Sequence, residues 1–219
     1  MSDASLLDGN GHSRLMDRVY RRQRHFYDIT RKYYLLGRDR LILGLDLSNG
    51  QSLLEVGCGT GRNLAVAANH YPDALLFGLD ISAEMLATAR KNLSGQPTEP
   101  VLKRLDATNF TPADLGVQGF DRIMISYALS MIPEWEKTVT ASLAALNPGG
   151  SLHIAEFGQQ ERLPRWFGTL LRTWLKQFHV TPRAELESVL RRAIESGPYS
   201  LTFIQHARGY AWLAIIRRN

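Results

Sequence analysis

Several features that would point to secretion, metal binding or membrane insertion are missing from this sequence. Cys58 is the sole cysteine, so no disulfide can form within the chain, and a reducing compartment is expected. No cluster of histidine and cysteine has metal-ligand spacing, so we expect no metal. The longest apolar run, near Ile123 to Ile132, is interrupted by serines and is far shorter than the roughly 20 apolar residues of a membrane-spanning helix. Residues 1–12 are polar, lack the apolar core of a secretory signal, and are predicted to be a disordered tail.

The composition is that of one globular domain with a modest excess of positive charge. A length of 219 residues and a hydrophobic content of 44% favour a single domain, predicted over residues 13–219. The chain has 26 basic and 21 acidic residues, a net charge of +5. Such an excess is compatible with nucleic acid or anionic lipid as a partner, or with no acidic partner at all.

A glycine-rich turn lies at the centre of the sequence pattern. The apolar run 52–56 reads as a buried strand, and it is followed by a loop with glycine at alternate positions and a helix-forming segment, 63–70. A buried strand, a tight glycine turn and a helix start form a nucleotide site at the edge of a parallel sheet. The order E-x-G-x-G-x-G differs from the dinucleotide pattern, because Arg62 occupies the place of the third small residue. Glu55 would repel a pyrophosphate and therefore favours a cationic or neutral ligand.

A second motif follows at a suitable distance. The apolar segment 75–79 ends at Asp80, which is 23 residues after Gly57 and close to the roughly 20-residue spacing of an acid that binds a ribose diol. One carboxylate matches two adjacent hydroxyl donors. Ser82 is predicted to cap a helix over 83–93. The alternative for Asp80 is a carboxylate that only caps this helix.

Together the two motifs resemble those of the class I S-adenosylmethionine (SAM)-dependent methyltransferases. The resemblance implies a Rossmann-like α/β fold: a mostly parallel seven-stranded sheet with a C-terminal antiparallel hairpin, an N-terminal helical cap over 13–46, and a helical insertion over 158–198 before the sixth strand. It implies SAM as cofactor, with Glu55 near the methionine ammonium and Asp106 accepting from the adenine amino group. The expected cofactor-binding residues are Glu55, Gly57, Cys58, Gly59, Gly61, Asp80, Ile81, Asp106, Ala107 and Ser126.

The fourth predicted strand, 120–126, leads into the place where the transferred methyl group would lie in this class. Enzymes that methylate planar amines of nucleobases or glutamine carry N/D-P-P-Y at this point. Here the residues are Ser126, Tyr127, Ala128 and Leu129. The missing motif weighs against those substrates.

Two basic, aromatic-rich segments flank the predicted core. The first covers residues 13–36, and the second, 163–178, has apolar residues at helical spacing with cations largely on the other side. Basic amphipathic helices are typical of membrane-surface elements, and tryptophan favours the membrane interface. The alternatives are a solvated charged face on a helix that covers the sheet, and a lid helix buried on the core.

Four further stretches, 20–28, 36–40, 127–133 and 178–183, resemble a narrower family. Its members are the bacterial N-methyltransferases that trimethylate diacylglycerylhomoserine to make the betaine lipid diacylglyceryl-trimethylhomoserine. The resemblance implies a membrane lipid substrate, a cytoplasmic protein peripheral at the inner face of the cell membrane, and docking to an anionic surface through the basic helices. A 3-amino-3-carboxypropyl transferase could be the partner that supplies the substrate.

This substrate suggests roles for individual side chains. Tyr127 or Glu156 is expected to accept or relay the amine proton, and Tyr27 is a further predicted catalytic residue. Aromatic faces attract cationic intermediates, and a cation is needed for the homoserine carboxylate. The candidate aromatic residues are Tyr27, Tyr33, Tyr34 and Tyr127. The candidate cation for the carboxylate is Arg38 or Arg183.

Other functions fit parts of the same pattern. Bacterial phosphatidylethanolamine N-methyltransferases share the cofactor motifs, and a quinone C-methyltransferase is a further alternative. A protein that binds SAM without chemistry, or a nucleic-acid methyltransferase that uses the basic face, would look similar in sequence. We expect no nucleic-acid partner.

Overall fold

The computed structural model describes residues 35–96, 99–177 and 180–219. The tail predicted over 1–12 and most of the helical cap predicted over 13–46 lie outside these ranges. Tyr27, Tyr33 and Tyr34 also lie outside them, so their predicted roles stay predictions.

The described residues form a sheet with helices on both faces. The strands are β1 Ser52–Val56, β2 Leu75–Asp80, β3 Val101–Arg104, β4 Phe120–Ser126, β5 Leu146–Phe157, β6 Tyr199–His206 and β7 Ala211–Arg218. The α-helices are α1 Arg38–Leu43, α2 Arg62–His70, α3 Ala83–Leu93, α4 Trp135–Ala144, α5 Arg165–Lys176 and α6 Leu186–Ile194. Short 3₁₀ turns cover Pro112–Leu115 and Ala207–Gly209.

The strand order places a crevice beside the glycine loop. The order is β3-β2-β1-β4-β5-β7-β6, and only β7 runs antiparallel to its neighbours. This confirms the predicted seven-stranded sheet with its C-terminal hairpin. The order reverses between β1 and β4, and ligands of open α/β sheets bind outside the carboxyl ends of the strands at such a point.

Two hydrophobic layers cover the sheet and explain the apolar strands. β1 is buried throughout because its successive side chains enter both layers. Leu53 belongs to the layer formed with α1, α2, α3 and α5, while Leu54 belongs to the layer formed with α4 and α6. The strand predicted as buried from its continuous apolar run is therefore confirmed.

The predicted boundary before β5 is wrong. The sequence predicts a helix over 134–146 and a strand from Ser151, but the helix ends at Ala144 and β5 begins at Leu146. Leu146 pairs with Phe120 at the start of β4, and a register shift follows before Ser151 pairs with its partner. The predicted Asn-Pro-Gly-Gly turn is consequently an irregular part of the strand, with Gly149 at φ +74°.

The helices of the insertion are shorter than their apolar periodicity suggests. The pattern predicts helices over 163–178 and 182–196, whereas α5 covers Arg165–Lys176 and α6 covers Leu186–Ile194. Pro164 stands directly before α5, where proline is compatible with a helix start. None of the helices in the described ranges has the length and apolarity needed to cross a membrane.

Candidate active site

Glycine occupies three positions of the loop after β1 for different structural reasons. All three have positive φ, +72° at Gly57, +54° at Gly59 and +76° at Gly61. A Cβ on Gly57 would come 2.8 Å from the Cβ of Ala128, and one on Gly61 would come 2.9 Å from Leu93 Cδ1. A Cβ on Gly59 would meet nothing within 4 Å. The outer glycines therefore permit close packing, and the middle one borders open space in which a ligand fits.

A buried carboxylate lies just before this loop. Glu55 is only 1% exposed, and its Oε1 accepts a hydrogen bond of 2.7 Å from the side-chain amide of Asn63 in α2. The interaction fixes the carboxylate at the crevice, where its negative charge favours a cationic ligand group. The role of Asn63 was not predicted from the sequence. Its position in the first turn of α2 was the available signal, because that turn faces the end of β1.

Asp80 connects the two cofactor motifs. Its Oδ2 accepts from the Gly59 amide at 2.9 Å, and its Oδ1 accepts from the Ser82 amide at 2.9 Å. Ser82 in turn accepts from the Met85 amide at 3.3 Å, which confirms the predicted helix cap. Asp80 thus orders both the glycine loop and the start of α3, and its ribose role stays a prediction. Ile81 follows it, and the Ile81 carbonyl accepts from Arg104 Nε at 3.0 Å.

Asp106 lies beyond the end of β3, at the same edge of the sheet. Its Oδ1 accepts from the amide and the hydroxyl of Thr108, at 2.9 and 2.8 Å. These bonds fix the carboxylate, and Ala107 beside it is buried. The predicted adenine contact of both residues stays a prediction.

Ser126 offers a polar group at the end of β4. Its side chain is buried, and its Oγ has no hydrogen-bond partner within the described part of the chain. A buried hydroxyl without a partner costs about 1–3 kcal/mol. A polar ligand in the crevice would remove this cost.

Tyr127 has a structural role that the sequence did not suggest. Its hydroxyl donates to the Leu36 carbonyl at 2.6 Å, its amide donates to the Ala155 carbonyl at 2.8 Å, and its ring meets that of Phe157 edge-on. Burial, followed by the negative charge of Glu156, raises the pKa of the Tyr127 phenol well above its usual value. The phenol therefore stays protonated near neutral pH and is a poor proton acceptor. Arg38, predicted to bind a carboxylate, is buried, and its charge partly opposes this rise in the Tyr127 pKa.

Glu156 is the more suitable of the two predicted proton acceptors. The side chain is completely buried, and its oxygens accept from the Ser130 amide at 3.2 Å and the Phe157 amide at 3.3 Å. Burial raises the pKa of Glu156 to about 7, against the opposing effect of these hydrogen bonds. A carboxylate with a pKa near neutrality can take up and release a proton under working conditions.

Arg183 holds the loop between β4 and α4. Its Nε donates to the Leu129 carbonyl at 3.0 Å, and its Nη2 donates to the Ile132 carbonyl at 2.6 Å. The guanidinium also lies 5.8 Å from the ring centre of Trp135. Arg183 therefore positions the loop that begins at the end of β4. Its predicted contact with a substrate carboxylate stays a prediction.

Two further titratable side chains, Cys58 and His153, are buried in surroundings that disfavour their charged forms. Burial raises the pKa of the Cys58 thiol well above its usual value, which disfavours the reactive thiolate. His153 lies in β5 with its Nε2 2.8 Å from Ser151 Oγ, and burial lowers its pKa to about 3. It is a packed strand residue. Among the described residues no group of His, Cys, Asp and Glu could hold a metal ion.

Comparison with known sequences places the crevice within a matched domain. Residues 53–150 match the family described as "Methyltransferase domain". Trans-aconitate 2-methyltransferase of Variovorax paradoxus is 32% identical over 114 residues, covering 52% of this chain and 41% of that protein. Phosphatidylethanolamine N-methyltransferase of Cereibacter sphaeroides is 30% identical over 119 residues, covering 53% and 56%. Demethylmenaquinone methyltransferase of Desulfitobacterium hafniense is 28% identical over 132 residues, covering 57% and 51%. The chain thus spans about half the length of these curated relatives.

Comparison with solved structures agrees on the fold. The plantazolicin methyltransferase BpumL, solved in complex with a triazolic desmethylPZN analog and SAH, superimposes with a TM-score of 0.70 over 98% of both chains at 13% identity. A SAM-dependent methyltransferase from Mesorhizobium loti gives a TM-score of 0.62 over 82% of this chain and 95% of that chain, at 20% identity. At these identities the likeness shows the fold alone.

Sheet order, motifs and the sequence match together define the class: residues 53–150 form a class I SAM-dependent methyltransferase domain. The chain's own residues fit SAM, which supplies an electrophilic methyl group when bound. Glu55 offers a negative charge for its ammonium, Gly59 leaves space, and Asp80, Asp106 and Ser126 offer polar groups at the same edge of the sheet.

Proposed function

We propose that the protein is a SAM-dependent N-methyltransferase of a membrane lipid. Its substrate would be diacylglycerylhomoserine, methylated successively at the amine to give diacylglyceryl-trimethylhomoserine. The observation that carries the lipid part of this proposal is an apolar face that α5 leaves uncovered. Trp166 is 68% exposed and Leu170 is 63% exposed, one helical turn apart. The four stretches outside the cofactor motifs support the homoserine lipid in particular.

The inner face of α5 attaches this helix to the active edge of the sheet. Leu171 and Leu175 are buried in the same hydrophobic layer as Tyr127 and Phe157. Phe167 packs against the ring of Tyr210, which precedes β7 at that edge. This attachment supports entry of a lipid substrate along α5, because exposed apolar surface often marks a membrane or ligand contact.

The segment that carries the exposed apolar face is also basic. Arg162, Arg172 and Lys176 are exposed within or just before α5. Near an anionic leaflet each such charge contributes roughly 1 kcal/mol, and salt weakens the attraction. Tryptophan and leucine at the interface together with these charges support reversible docking at the inner face of the cell membrane. An enzyme that transfers 3-amino-3-carboxypropyl groups to diacylglycerol would be the partner that supplies the substrate.

The chemistry requires alignment of the amine and removal of protons. Burial in the crevice lowers the pKa of an amine and so favours its neutral, nucleophilic form. Each of the first two methylations leaves a proton to be released from nitrogen, and Glu156 is the group with a suitable pKa to accept it. The Ser130 amide, which donates to Glu156, belongs to the loop that Arg183 holds. Loop position and proton transfer are therefore connected.

Two alternatives have support from named relatives. The match to phosphatidylethanolamine N-methyltransferase favours that aminolipid as substrate, and the match to demethylmenaquinone methyltransferase favours carbon methylation of a quinone. Both substrates also reside in membranes, so the exposed face of α5 does not separate them from the homoserine lipid.

Methyl transfer to defined vesicles tests the proposal. The purified protein is incubated with methyl-labelled SAM and phosphatidylcholine vesicles that contain diacylglycerylhomoserine, phosphatidylethanolamine or demethylmenaquinone. We expect label in mono-, di- and trimethylated homoserine lipid. Label only in phosphatidylethanolamine products or only in the quinone would replace the proposed substrate by that alternative.

A further inference from the structure

A polar cavity of about 300 Å³ lies between α5 and the segment that follows β5. Its volume is of the size that a small polar headgroup requires. The cavity is lined by Gln159, Gln160, Glu161, Leu163, Pro164, Gly168, Thr169 and Arg172. None of these residues belongs to the cofactor motifs or to the ends of β1 and β4.

Two amide side chains of the cavity contain buried atoms without partners. Gln160 is 5% exposed and has a left-handed backbone, with φ +58°. Its Nε2 donates to the Gly158 carbonyl, while its Oε1 has no partner among the described residues. The Nε2 of Gln159 is likewise buried without a partner there. An unpaired buried polar atom is destabilising, so the cavity is suited to a ligand with both donors and acceptors.

The cavity also contains one negative and one positive side chain. Glu161 accepts a hydrogen bond of 3.0 Å from Trp212 Nε1, which fixes the carboxylate on the side of β7. Arg172 reaches the cavity from α5, and no carboxylate of the described residues forms an ion pair with it. A fixed anion and a cation in one small polar space complement a zwitterion better than a ligand of one charge.

Gly168 keeps this space open. Glycine in the interior of a helix is less stable than alanine. A Cβ at this position would lie 3.5 Å from Arg172 Nη2 and 3.6 Å from Gln160 Oε1, which are ordinary contact distances. Neither a close packing contact nor a positive φ therefore requires glycine here. What a larger side chain would remove is the space between the guanidinium and the amide.

We propose that this cavity binds the zwitterionic headgroup of an aminolipid. The ammonium group would lie towards Glu161 and Gln160 Oε1, and the carboxylate or phosphate would lie towards Arg172. The inference rests on the proposed function, because the apolar side chains Trp166 and Leu170 on the outer face of the same helix would place the headgroup region of a bilayer at this depth. The homoserine lipid and phosphatidylethanolamine share the required chemistry.

Filling the cavity tests this site. Gly168→Leu and the matched control Gly168→Ala are compared in sedimentation with phosphatidylcholine vesicles that contain diacylglycerylhomoserine, phosphatidylethanolamine or phosphatidylglycerol. We expect Gly168→Leu to weaken association with one or both types of aminolipid vesicle by about tenfold, the loss of roughly one charge-assisted hydrogen bond. Gly168→Ala should stay near wild type, and neither change should affect association with phosphatidylglycerol vesicles. The vesicle type that responds identifies the source of the headgroup.

Equal association of all three proteins with aminolipid vesicles would overturn the site. So would an equal loss on phosphatidylglycerol vesicles, because it would indicate damage to the docking face. Retained SAM affinity checks that the Leu variant is folded. A second variant, Arg172→Gln, should weaken association with aminolipid vesicles more than Lys176→Gln, which removes a cation outside the cavity. These measurements of vesicle association need no turnover, so they test the headgroup site even when no lipid is methylated. If Gly168→Leu methylates lipid with an unchanged lipid KM, the headgroup site is refuted but the proposed function is not.

Discussion

The amide of Gly59 donates to the Oδ2 of Asp80 over 2.9 Å, and this hydrogen bond joins the loop after β1 to the end of β2. The other carboxylate oxygen of Asp80 accepts from Ser82 at the start of α3. One side chain therefore orders two sides of the cofactor crevice. Asp80 accepts both of these hydrogen bonds and still has lone pairs for a hydroxyl donor, because each carboxylate oxygen can accept more than one hydrogen bond.

Replacement of Asp80 by alanine should remove SAM binding. The change deletes the predicted ribose acceptor and leaves two backbone amides without their partner, so we expect at least about a hundredfold loss of affinity. Titration calorimetry with SAM measures it, and melting curves report folding. Asp114→Ala, which removes an exposed capping box with Thr111 and no residue predicted to bind the cofactor, is the control and should bind SAM normally. An Asp80 variant with unchanged SAM affinity would refute the ribose role.

Substitutions in the glycine loop should distinguish a glycine needed for packing from one needed for ligand binding. Gly57→Ala adds a contact of 2.8 Å with Ala128 to the strain of a left-handed residue, whereas Gly59→Ala adds the strain alone. We expect Gly57→Ala to lower the free energy of unfolding by about 2–4 kcal/mol and Gly59→Ala by about 1–2 kcal/mol. Gly59→Ala should nevertheless weaken SAM binding, since its methyl group enters the open space. Denaturant unfolding measures the stability of both variants, and calorimetry measures their SAM affinity. A Gly59→Ala variant less stable than Gly57→Ala would contradict the packing role of Gly57.

If Arg183 positions the loop after β4, its replacement should lower kcat. Arg183→Lys keeps the charge but cannot reach both the Leu129 and Ile132 carbonyls with the planar fork of arginine. We expect kcat to fall about tenfold or more while SAM affinity stays within about twofold. Arg191→Lys, in an exposed pair with Glu187, is the matched control. Steady-state kinetics would count against the positioning role if only the lipid KM rose, because that result is typical of a direct substrate contact.

The buried carboxylate of Glu156 should give a measurable pH dependence of stability. Its pKa is raised in the folded state from 4.5 to about 7, so folding favours the protonated form. The contribution of Glu156 is fully present below pH 4.5 and is lost as the pH rises to about 7, by an amount on the order of 3 kcal/mol. Glu156→Gln should lack this loss. Urea unfolding of both proteins at several pH values measures the difference, and parallel curves would show that the pKa is not raised.

Docking through α5 should depend on its exposed apolar side chains. Replacing Trp166 and Leu170 together by glutamine should weaken association with phosphatidylglycerol vesicles about tenfold or more, because apolar area no longer enters the interface. Leu75→Gln is the control, since Leu75 is 48% exposed at the start of β2, the opposite edge of the sheet. Wild-type association should also fall with added salt. Binding that ignores both the double change and salt would contradict docking by this face.

The sequence was sufficient for the parts of the fold that are set by local patterns. Apolar runs identified β1 and β2, and the glycine spacing with Asp80 identified the crevice, because each signal lies within a few consecutive residues. The boundary at Leu146 was mispredicted because pairing with Phe120 outweighed the turn signal of the following Pro-Gly-Gly. Tertiary pairing of this kind leaves no local pattern.

The contacts that arrange the chemistry were beyond the sequence. Tyr127 binds the Leu36 carbonyl across 91 positions, Arg183 binds the Leu129 carbonyl across 54, and Glu156 receives the Ser130 amide across 26. Such partners depend on how strands and loops meet at one edge of the sheet. The residues Tyr127, Glu156 and Arg183 were all named from the sequence, but the difference in suitability of Tyr127 and Glu156 as proton acceptors became visible only with their burial.

Competition between lipids in the same vesicle tests the proposed lipid substrate. Phosphatidylcholine vesicles with equal amounts of diacylglycerylhomoserine and phosphatidylethanolamine are incubated with the protein and SAM, and the headgroups are followed by mass spectrometry. We expect the homoserine lipid to gain methyl groups stepwise up to the trimethylated betaine while phosphatidylethanolamine stays largely unchanged. An unaltered homoserine lipid, measured with protein that binds SAM and associates with these vesicles, would contradict it.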